Sequence, residues 1–545
     1  MSSRSRTASD GSSGARVDVA IVGFGPVGAT LAGLLGLRGH SVVVIERDPD
    51  VFPLPRAAHI DHQGLRAIQE LGLLDSLLPS MLENPGVEFV TAERELLMRI
   101  RGDQGSVSGL PASMYFHQPE FDRTLRERAG ALPDVTTLIG TTAVGIEQAR
   151  DDVTVYVEAN DGRQRSITAS WLVGCDGASS FVRTNEGIDL EDLQFDEPWL
   201  VVDLILQGEP TLPNASLNVC DPARPMTLIP IPEGRYRFEL MLLPGEDPAT
   251  ITRPERVFEL LAGWVPPGAA SIERSAIYRF HGLIARDWRR DRVLLAGDAA
   301  HQMPPFLGQG MNSGIRDAVN LAWKLDHVLE GRATDTLLDT YGLERSPHVR
   351  KIIEAAIRLG RITCTLDPEV AAERNRSILS DPRPPTERAD FRLPRLEPGP
   401  LVLGGGGELF IQPTLADGRR LDDVVGQRWL VLRIGEASLG AAADWWESIG
   451  ALVTTVPAIG DSEGALAGWL ERRDVTAVVV RPDHYVLAAT SDLAGVTDHV
   501  RQVLHRAPEL VPVEPALPEG DGVASRSRAA GVPRGWSTPR RTIRP

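Results

Sequence analysis

Two short apolar runs flank a helical pattern near the start of the chain. Residues 17–22 and 41–45 are rich in valine and isoleucine, which predicts strands of a buried parallel sheet. Residues 29–38 are good helix formers, and Gly39 suits the C-terminal cap of that helix. The order strand, helix, strand therefore predicts a βαβ unit and an α/β fold class.

The pattern changes further along the chain. Between about residues 186 and 284, strand-like runs alternate with Pro and Gly turns, which predicts a mostly antiparallel inserted sheet. A strand at 291–295 and a helical run with one apolar face at 315–325 mark the return of the α/β pattern. From about residue 401, strands and helices follow in the order of a thioredoxin-like domain.

These changes divide the chain into predicted segments. The segments are a disordered N-terminus (1–16), a split α/β domain (17–185 and 285–365), an inserted β-sheet domain (186–284), a Pro- and charge-rich linker (366–400), a thioredoxin-like domain (401–512) and a disordered tail (513–545). The sequence contains no internal repeat.

Composition narrows the range of functions. A net charge of −17 over 545 residues argues against a nucleic-acid partner. The chain has no apolar run of about 20 residues and no apolar N-terminal signal region, so we expect a cytoplasmic protein without a membrane partner. Cys175, Cys220 and Cys364 are widely spaced, which predicts no cysteine-based metal site. The absence of cysteine after Cys364 excludes disulfide exchange by the last domain.

The first βαβ unit carries a dinucleotide-binding pattern. Gly23, Gly25 and Gly28 form G-x-G-x-x-G directly after the first strand. Glu46 ends the second strand, where an acidic residue can bind the adenosine ribose. A glycine triplet alone is a weak signal, but here it lies within strand, turn, helix and strand. The pattern therefore predicts a bound dinucleotide.

Two later motifs also end strands of the α/β domain. Asp176 precedes Gly177 after one strand, and Asp298 follows Gly297 after another. Ligands of α/β folds lie at such carboxyl ends of strands. A glycine-rich loop at 303–314 then leads into a helix, whose N-terminal N–H groups can stabilise negative charge.

Together these motifs resemble the class A flavoprotein monooxygenases, over about residues 17–360. The match rests on GFGPVG with Glu46-Arg47, on CDGASSFVR, and on LLAGDAAHQMPPFLGQGMNSGIRDAVNLAWKL. Within this class, the 3-(3-hydroxyphenyl)propionate hydroxylase branch is most similar, through PRAAHIDHQGLRAIQELGL, FHQPEFDRTL, CDPARP and FELMLLPGE. The implied fold is a Rossmann-like FAD-binding domain with an inserted substrate-binding sheet and a thioredoxin-like C-terminal domain.

The resemblance implies a non-covalent FAD and assigns roles to residues of this chain. The FAD-binding residues that it implies are Gly23, Gly25, Gly28, Glu46, Arg47, Arg56, Gln118, Asp176, Gly297, Asp298, Pro305, Gly308, Gly310, Met311 and Asn312. It also implies NADH or NADPH and O₂ as co-substrates, and a packing or dimer-forming role for the last domain, so that a homodimer can form.

The implied reaction is ortho-hydroxylation of a phenol, with 3-(3-hydroxyphenyl)propionate or a related aromatic acid as the expected substrate. The candidates for a base that removes the phenolic proton are Asp61, His62, Tyr278 and His281. Which of them acts, and which residue binds an acidic side chain, stays open at this point.

Other functions compete with this interpretation. A flavin monooxygenase of a larger polyketide-type phenol carries the same motifs, and epoxidases and Baeyer–Villiger oxygenases are further flavin enzymes. Halogenases are disfavoured because their G-W-x-W-x-I-P motif is absent. A non-catalytic FAD-binding protein would have no obvious use for the complete loop from Pro304 to Asn312.

Overall fold

The structure is a computed structural model that describes residues 16–505, except residue 54 and residues 103–105, 209–211, 390 and 436–440. The predictions of disorder for residues 1–15 and 513–545 lie outside the described residues.

Strands and helices alternate along most of the described chain. The strands are β1 (Val17–Val22), β2 (Val42–Glu46), β3 (His59–Asp61), β4 (Leu82–Glu83), β5 (Gly86–Val90), β6 (Leu96–Arg101), β7 (Ser113–Tyr115), β8 (Val135–Ile139), β9 (Thr141–Gln148), β10 (Val153–Ala159), β11 (Gln164–Gly174), β12 (Leu190–Leu206), β13 (Ser216–Val219), β14 (Met226–Ile231), β15 (Arg235–Met241), β16 (Ala270–Ala285), β17 (Arg289–Arg290), β18 (Val293–Leu295), β19 (His301–Gln302), β20 (Leu430–Arg433), β21 (Leu452–Thr455), β22 (Ala477–Val480) and β23 (Val486–Thr490). The helices are α1 (Pro26–Leu37), α2 (His62–Glu70), α3 (Leu74–Leu77), α4 (Gln118–Gly130), α5 (Phe181–Asn185), α6 (Pro248–Ile251), α7 (Pro254–Leu261), α8 (Gly310–Leu329), α9 (Asp339–Thr363), α10 (Pro368–Leu379), α11 (Pro385–Arg388), α12 (Leu421–Val425), α13 (Ala441–Ser448), α14 (Val456–Ile459), α15 (Ala465–Glu471) and α16 (Leu493–His505).

The first sheet contains the predicted βαβ unit. Its strands follow the order β17-β18-β11-β1-β2-β8, with β10 and β9 added beside β11. The pairs β1/β2, β1/β11, β2/β8 and β11/β18 are parallel. Val19, Ala20 and Ile21 of β1 are fully buried, as a strand covered on both faces must be. Helices α1 and α8 pack against each other beside this sheet. The mixed α/β fold is therefore confirmed.

The second sheet is mostly antiparallel and follows the order β19-β16-β12-β15-β14-β13-β5-β6. Strands β12 to β16 come from the segment predicted at 186–284. Strands β5 and β6 lie far outside it, and β5 pairs in parallel with β13. The sequence did not indicate this addition, because residues 86–101 are distant in the chain and only the tertiary fold brings them to the edge.

The two faces of this sheet differ in character. One face is apolar, and its Leu200 and Phe238 pack in one cluster with Val257 of α7. Residues on the other face alternate with these along each strand. We call the face that carries Trp199, Asp203, Arg237, Glu239 and Tyr278 the inner face, because Trp199 belongs to the same apolar core as the first sheet.

The predicted linker at 366–400 is partly helical. It contains α10 and α11, and both helices pack against β6. The side chain of Asp367 caps α10 by accepting hydrogen bonds from the backbone N–H groups of Glu369 and Val370, and Pro368 occupies the first turn. The segment therefore contains regular structure, since a cap and a first-turn proline begin a helix within a charge-rich stretch.

The C-terminal region has its own four-stranded sheet in the order β21-β20-β22-β23. Strands β20 and β21 are parallel, whereas β20/β22 and β22/β23 are antiparallel. Its Trp429 packs edge-to-face against Trp323 of α8, with ring centres 5.3 Å apart. This region and the α/β region therefore share buried aromatic surface.

Candidate active site

The glycine turn between β1 and α1 leaves room for a diphosphate. Gly23 has a φ of +100°, and a Cβ there would lie 2.3 Å from the carbonyl oxygen of Cys175. A Cβ on Gly28 would lie 2.1 Å from the carbonyl oxygen of Gly23, so only glycine lets α1 approach the turn. A Cβ on Gly25 would meet no atom within 4 Å. The space beside Gly25, at the N-terminus of α1, can therefore receive a phosphate.

Glu46 is fixed beside this turn. Its Oε2 accepts a hydrogen bond of 2.8 Å from the backbone N–H of Phe24, and its Oε1 accepts one of 2.9 Å from that of Asp48. Arg126 Nη2 lies 3.3 Å from Glu46 Oε2. The carboxylate thus lies at the carboxyl end of β2, where a ribose is bound in folds of this type. The side chain of Arg47 is 69% exposed, with its Nε 4.0 Å from Asp48.

Gln118, at the start of α4, holds the loop that follows β2. Its Oε1 accepts hydrogen bonds of 2.6 Å from the backbone N–H groups of both Arg56 and Ala57. Its Nε2 donates to Asp122 Oδ2 at 3.2 Å. The Arg56 side chain is exposed, and its guanidinium lies 4.7 Å from the ring centre of Phe52. Gln118 therefore fixes the backbone of the loop, while the Arg56 side chain can reach an anionic ligand.

Asp298 lies at the carboxyl end of β18, in a short 3₁₀ turn. Its side chain is exposed to solvent, whereas Gly297 beside it is buried. The protein around the carboxyl group raises the pKa of Asp298, while His301 and Arg56 lower it. The two charged groups come from different loops and are close enough for Arg56 to influence Asp298.

The loop 304–312 joins this groove to α8. Gly308 has a φ of +60°, and Asn312 is fully buried. Asn312 Nδ2 donates to the carbonyl oxygens of Gly308 (2.9 Å) and His59 (3.2 Å), and its Oδ1 accepts from the backbone N–H of Asp61 (3.0 Å). The half-buried residues of this loop include Pro305, Gly310 and Met311. The Asn312 amide therefore fixes the shape of the loop.

Asp176 lies just beyond the end of β11, and its carboxylate bonds within its own turn. Its Oδ1 accepts from Ser180 Oγ, and its Oδ2 accepts from the backbone N–H of Val182 at 3.0 Å. Burial raises the pKa of Asp176, and the hydrogen bond from Ser180 lowers it. Arg183 donates to the carbonyl oxygen of Ala299 at 2.9 Å, which ties this turn to the turn of Asp298.

Asp61 and His62 have structural partners. Asp61 Oδ1 accepts two hydrogen bonds of 3.0 Å from backbone N–H groups in the first turn of α2, and its Oδ2 lies 2.8 Å from Arg316 Nη1. Burial raises the pKa of Asp61, but Arg316 and His62 lower it well below its usual range. His62 Nδ1 lies 2.8 Å from Ser108 Oγ, and burial lowers the pKa of His62. These contacts favour a structural role for both residues.

Tyr278 and His281 lie on β16 but on different faces. Tyr278 pairs with Trp199 across the sheet and therefore lies on the inner face, where its hydroxyl accepts a hydrogen bond of 3.1 Å from Arg274. His281 is three residues further along the strand, and its Nδ1 lies 3.4 Å from Asp196 on the neighbouring strand. Of the four predicted bases, only Tyr278 belongs to the inner face.

The inner face also carries a buried charge cluster that the sequence did not reveal. Asp203, Arg237, Glu239 and Arg274 are each at most 4% exposed. Asp203 pairs with Arg237 Nε at 2.8 Å and with Arg274 Nη2 at 2.7 Å. Burial raises the pKa of Glu239, and Arg237 lowers it. In β15, charged and apolar residues alternate, which was the available signal.

The inner face meets both loops of the groove. The Trp199 ring lies edge-to-face on Phe306 of the loop 304–312, with ring centres 5.7 Å apart. Arg237 Nη1 donates to the carbonyl oxygen of Arg56 at 2.6 Å, and Nη2 donates to that of Pro55. The polar inner face therefore contacts both the loop after β2 and the loop before α8.

Within the described ranges, no group of three or more His, Cys, Asp or Glu residues could hold a metal ion. None of the helices described here is long and apolar enough to cross a membrane. Cys175, Cys220 and Cys364 are free thiols, and burial raises the pKa of Cys220 to about 11.

Comparison with known proteins places this geometry among flavin enzymes. The family described as "FAD binding domain" matches residues 16–356, and the family described as "HcaD C-terminal domain" matches residues 407–506. A protein of Rhodococcus jostii described as "Probable NADH-specific resorcinol 4-hydroxylase" is 37% identical over 520 residues, which cover 92% of this chain and 97% of that protein.

Two further relatives have related descriptions. The 3-(3-hydroxy-phenyl)propionate/3-hydroxycinnamic acid hydroxylase of Escherichia coli is 34% identical, over 87% of this chain and 91% of that protein. Among solved structures, OxyS anhydrotetracycline hydroxylase from Streptomyces rimosus is 26% identical with a TM-score of 0.71, and the match covers 90% of this chain and 99% of that chain.

Proposed function

The chain belongs to the class A FAD-dependent aromatic monooxygenases, and on this premise we propose that it hydroxylates a small phenol next to its ring hydroxyl group, with NADH and O₂ as co-substrates. The observation that carries this proposal is the contact of the inner face with both loops of the cofactor groove, through Trp199–Phe306 and through Arg237 with the carbonyl oxygens of Pro55 and Arg56. This contact gives an aromatic ring a protein-lined space beside the groove.

The residues of the groove fit FAD. The open space beside Gly25 suits its diphosphate, Glu46 suits the adenosine ribose, and the exposed Asp298 suits the ribityl hydroxyl groups. The Arg56 side chain supplies a cation near the same groove. We propose that Gln118 acts through the backbone of the Arg56 loop. When bound, FAD accepts a hydride from the nicotinamide and supplies the activated oxygen.

The loop 304–312 supports a position for the flavin ring at the start of α8. The N-terminus of this helix carries unpaired backbone N–H groups and the positive end of its dipole, which favour negative charge. The buried Asn312 holds the loop in place, so that Gly308, Gly310 and Met311 can border the ring. We propose these residues as positioning groups for the flavin.

The substrate ring is proposed to lie between this loop and the inner face. Trp199 and Phe306 supply an aromatic wall, and Tyr278 and Ala276 of β16 are only half-buried, so that the face is accessible beside them. Tyr278 would orient the ring through its hydroxyl, which Arg274 holds at 3.1 Å. Closure of this space by the sheet would exclude water from the reacting atoms.

The relatives indicate which phenols to test first. Resorcinol carries a second hydroxyl group meta to the first, and 3-(3-hydroxyphenyl)propionate carries an acidic side chain at that position. Both are phenols with a meta substituent, which is the substrate class that we propose. The name of the Rhodococcus relative also supports NADH over NADPH.

Product analysis tests the proposal. The FAD-loaded protein should consume NADH faster when a meta-substituted phenol is present, and mass spectrometry should show a product with one additional oxygen. Hydrogen peroxide measured alongside should account for little of the NADH consumed. If only a larger polycyclic phenol gains oxygen, the proposed type of reaction stands and the proposed substrate class is wrong. Reducible FAD without oxygen transfer to any phenol would reject the function.

We further propose that residues 401–505 form a thioredoxin-like domain that serves packing rather than redox chemistry. The strand order β21-β20-β22-β23, with one parallel pair and an antiparallel hairpin, supports this assignment. The segment contains no cysteine. Its contact with α8 through Trp323 and Trp429 supports a role in stabilising the α/β domain, which holds the cofactor groove.

A further inference from the structure

Glu239 occupies the centre of the inner face. It lies in β15, is 3% exposed, and pairs with Val201 on one side and Thr227 on the other. Val201 in turn pairs with Ala276. Paired residues project to the same side of a sheet, so Glu239 is flanked by the short side chains of Thr227, Val201 and Ala276. At this place, one carboxylate therefore lies among short side chains.

This place lies between the two contacts that join the inner face to the cofactor groove. Val201 lies between Trp199, which touches Phe306, and Asp203, which pairs with Arg237. Because strands rise about 3.3 Å per residue, Glu239 lies roughly 7 Å along the sheet from each contact. A ring that lies beside the loop 304–312 therefore comes within reach of the Glu239 carboxylate.

Two buried polar atoms of the inner face lack a hydrogen-bond partner among the residues that the structure describes. Glu239 Oε2 and Arg274 Nε are both buried, and neither has a hydrogen bond. The other charged groups of the cluster have partners. Asp203 accepts from both arginines, and Arg274 Nη1 donates to the Tyr278 hydroxyl. A buried carboxylate oxygen without a partner is costly, so a ligand, a water molecule or an ion that completes it is an expected explanation.

The unpaired atoms define the chemistry of that ligand. Glu239 Oε2 accepts a hydrogen bond and Arg274 Nε donates one. A neutral hydroxyl group suits either atom, since it both donates and accepts. A carboxylate would meet like charge at Glu239, and Asp203 already neutralises much of the positive charge of Arg237 and Arg274.

We propose that Glu239 is a specificity-determining residue that accepts a hydrogen bond from a ring hydroxyl of the substrate, so that the site favours a meta-dihydroxybenzene such as resorcinol over an aromatic acid. This inference rests on the proposed hydroxylase function and adds the residue that distinguishes between its two substrate types. Glu239 does not enter the oxygen-transfer step, because its role is recognition through one charge-assisted hydrogen bond.

The test compares two ligands in the FAD-loaded protein. Dissociation constants for resorcinol and for 3-(3-hydroxyphenyl)propionate are measured from the change in flavin absorbance, for the natural protein and for Glu239→Gln. The variant should bind resorcinol at least about tenfold more weakly, because it loses a charged acceptor. The propionate should bind as before or more tightly, because a like charge is removed. A purely structural role would weaken the binding of both ligands and would not affect resorcinol alone.

Glu233→Gln is the matched control. Glu233 lies in the turn between β14 and β15, with its side chain 67% exposed, so this variant makes the same chemical change on the same hairpin. Both dissociation constants should stay within about twofold of the natural values. FAD content is measured for every variant. If Glu239→Gln loses FAD, Glu239→Asp replaces it in the test. The shorter side chain keeps the negative charge but moves it away from the ligand. The ratio of dissociation constants that favours resorcinol over the propionate should then fall at least threefold.

The outcomes separate this inference from the proposed function. If Glu239→Gln binds both ligands equally more weakly, or binds resorcinol as the natural protein does, the proposed role of Glu239 is wrong. The proposal of phenol hydroxylation then still stands. A natural protein that binds the propionate more tightly than resorcinol would overturn it as well. If the natural protein transfers oxygen to no phenol, the proposed function fails, and the role of Glu239 in it fails too.

Discussion

Arg481 of the C-terminal region lies 2.7 Å from Glu344 of α9, and the side chains are 0% and 3% exposed. Glu344 also pairs with Lys324 of α8 at 2.9 Å, and Arg481 pairs with Asp483 at 2.6 Å. Burial alone would raise the pKa of Glu344, but Arg481 and Lys324 lower it to about 2. The C-terminal region therefore supplies a cation that the interior of the α/β domain requires.

Arg481→Met should destabilise the whole protein. The substitution leaves Glu344 and Asp483 buried with one cation fewer, and breaking a buried pair in this way costs about 3–5 kcal/mol. Thermal unfolding should show a decrease in Tm of several degrees, and FAD retention should fall at temperatures below the new Tm. Arg419→Met serves as the control, because Arg419 is 58% exposed and its pair with Asp417 lies at the surface. Equal Tm values for the two variants would contradict this prediction.

Gly25→Ala and Gly28→Ala should separate cofactor binding from folding. An alanine Cβ at Gly25 meets no protein atom within 4 Å, so the protein should fold with a Tm close to the natural value. The same methyl group fills the space assigned to the diphosphate, so FAD should bind at least about tenfold more weakly, which equals about 1.4 kcal/mol. FAD titration and thermal unfolding of the FAD-free protein measure both effects.

Gly28→Ala should instead impair folding. Its Cβ would lie 2.1 Å from the carbonyl oxygen of Gly23, so β1, the turn or α1 must shift. We expect a loss of soluble protein or a large decrease in Tm even without FAD. If Gly25→Ala bound FAD normally, the diphosphate would have to lie elsewhere.

Asp298→Ala should weaken the retention of FAD without unfolding the protein. The side chain is exposed in the groove, so its removal breaks no buried contact of the FAD-free chain. The ribityl hydroxyl groups would lose a charged acceptor, for which we expect a cost of about 1.5–3 kcal/mol. Gel filtration followed by absorbance spectroscopy measures the flavin that remains. Asp287→Ala is the control, because Asp287 is 57% exposed and its pair with Arg290 lies near the surface.

Asp122→Asn should change the pH dependence of stability. Burial raises the pKa of Asp122 to about 7, although Gln118, Arg126 and Arg56 lower it. Between about pH 4 and pH 7 the folded protein keeps a proton that the unfolded chain releases, so stability falls with rising pH, by up to about 4 kcal/mol. The asparagine variant stays neutral and should avoid this loss.

The Tm difference between Asp122→Asn and the natural protein should therefore be small near pH 4 and largest above pH 7. Thermal unfolding at intervals between these values measures it. Asp134→Asn changes an exposed position, so its plot of Tm against pH should run parallel to that of the natural protein. Parallel curves for Asp122→Asn as well would show that Asp122 is ionised in the fold at neutral pH.

The elements that hold the cofactor could be predicted because local pattern determines them. β1 and β2 are apolar apart from Asp18 and Glu46, and Gly23 and Gly28 have steric roles that only glycine fulfils. The helix pattern at α8 was equally clear. The C-terminal strands also matched their predicted order, since each combines β-branched residues with a flanking turn.

The substrate side could not be predicted in the same way. In β15, Arg237 and Glu239 alternate with Phe238, and such a pattern normally indicates one face in water. Only the fold shows that the polar face is covered by the α/β domain. Conversely, Asp61 and His62 lie in a motif of the resemblance, but their contacts with Arg316 and Ser108 belong to a helix cap and a loop. The type of a residue does not reveal which hydrogen-bond or ion-pair partner its side chain has in the fold.

The contact of Arg237 with the loop after β2 limits how this enzyme can be recombined with its relatives. The carbonyl oxygens of Pro55 and Arg56 accept from Arg237, while the backbone N–H groups of Arg56 and Ala57 donate to Gln118. A chimera that takes its inserted sheet from another hydroxylase loses these hydrogen bonds unless that hydroxylase has an arginine at the position equivalent to Arg237. Each carbonyl group left without a donor would cost about 1–3 kcal/mol. Exchange of substrate range by grafting therefore requires the loop and the sheet to be transferred together.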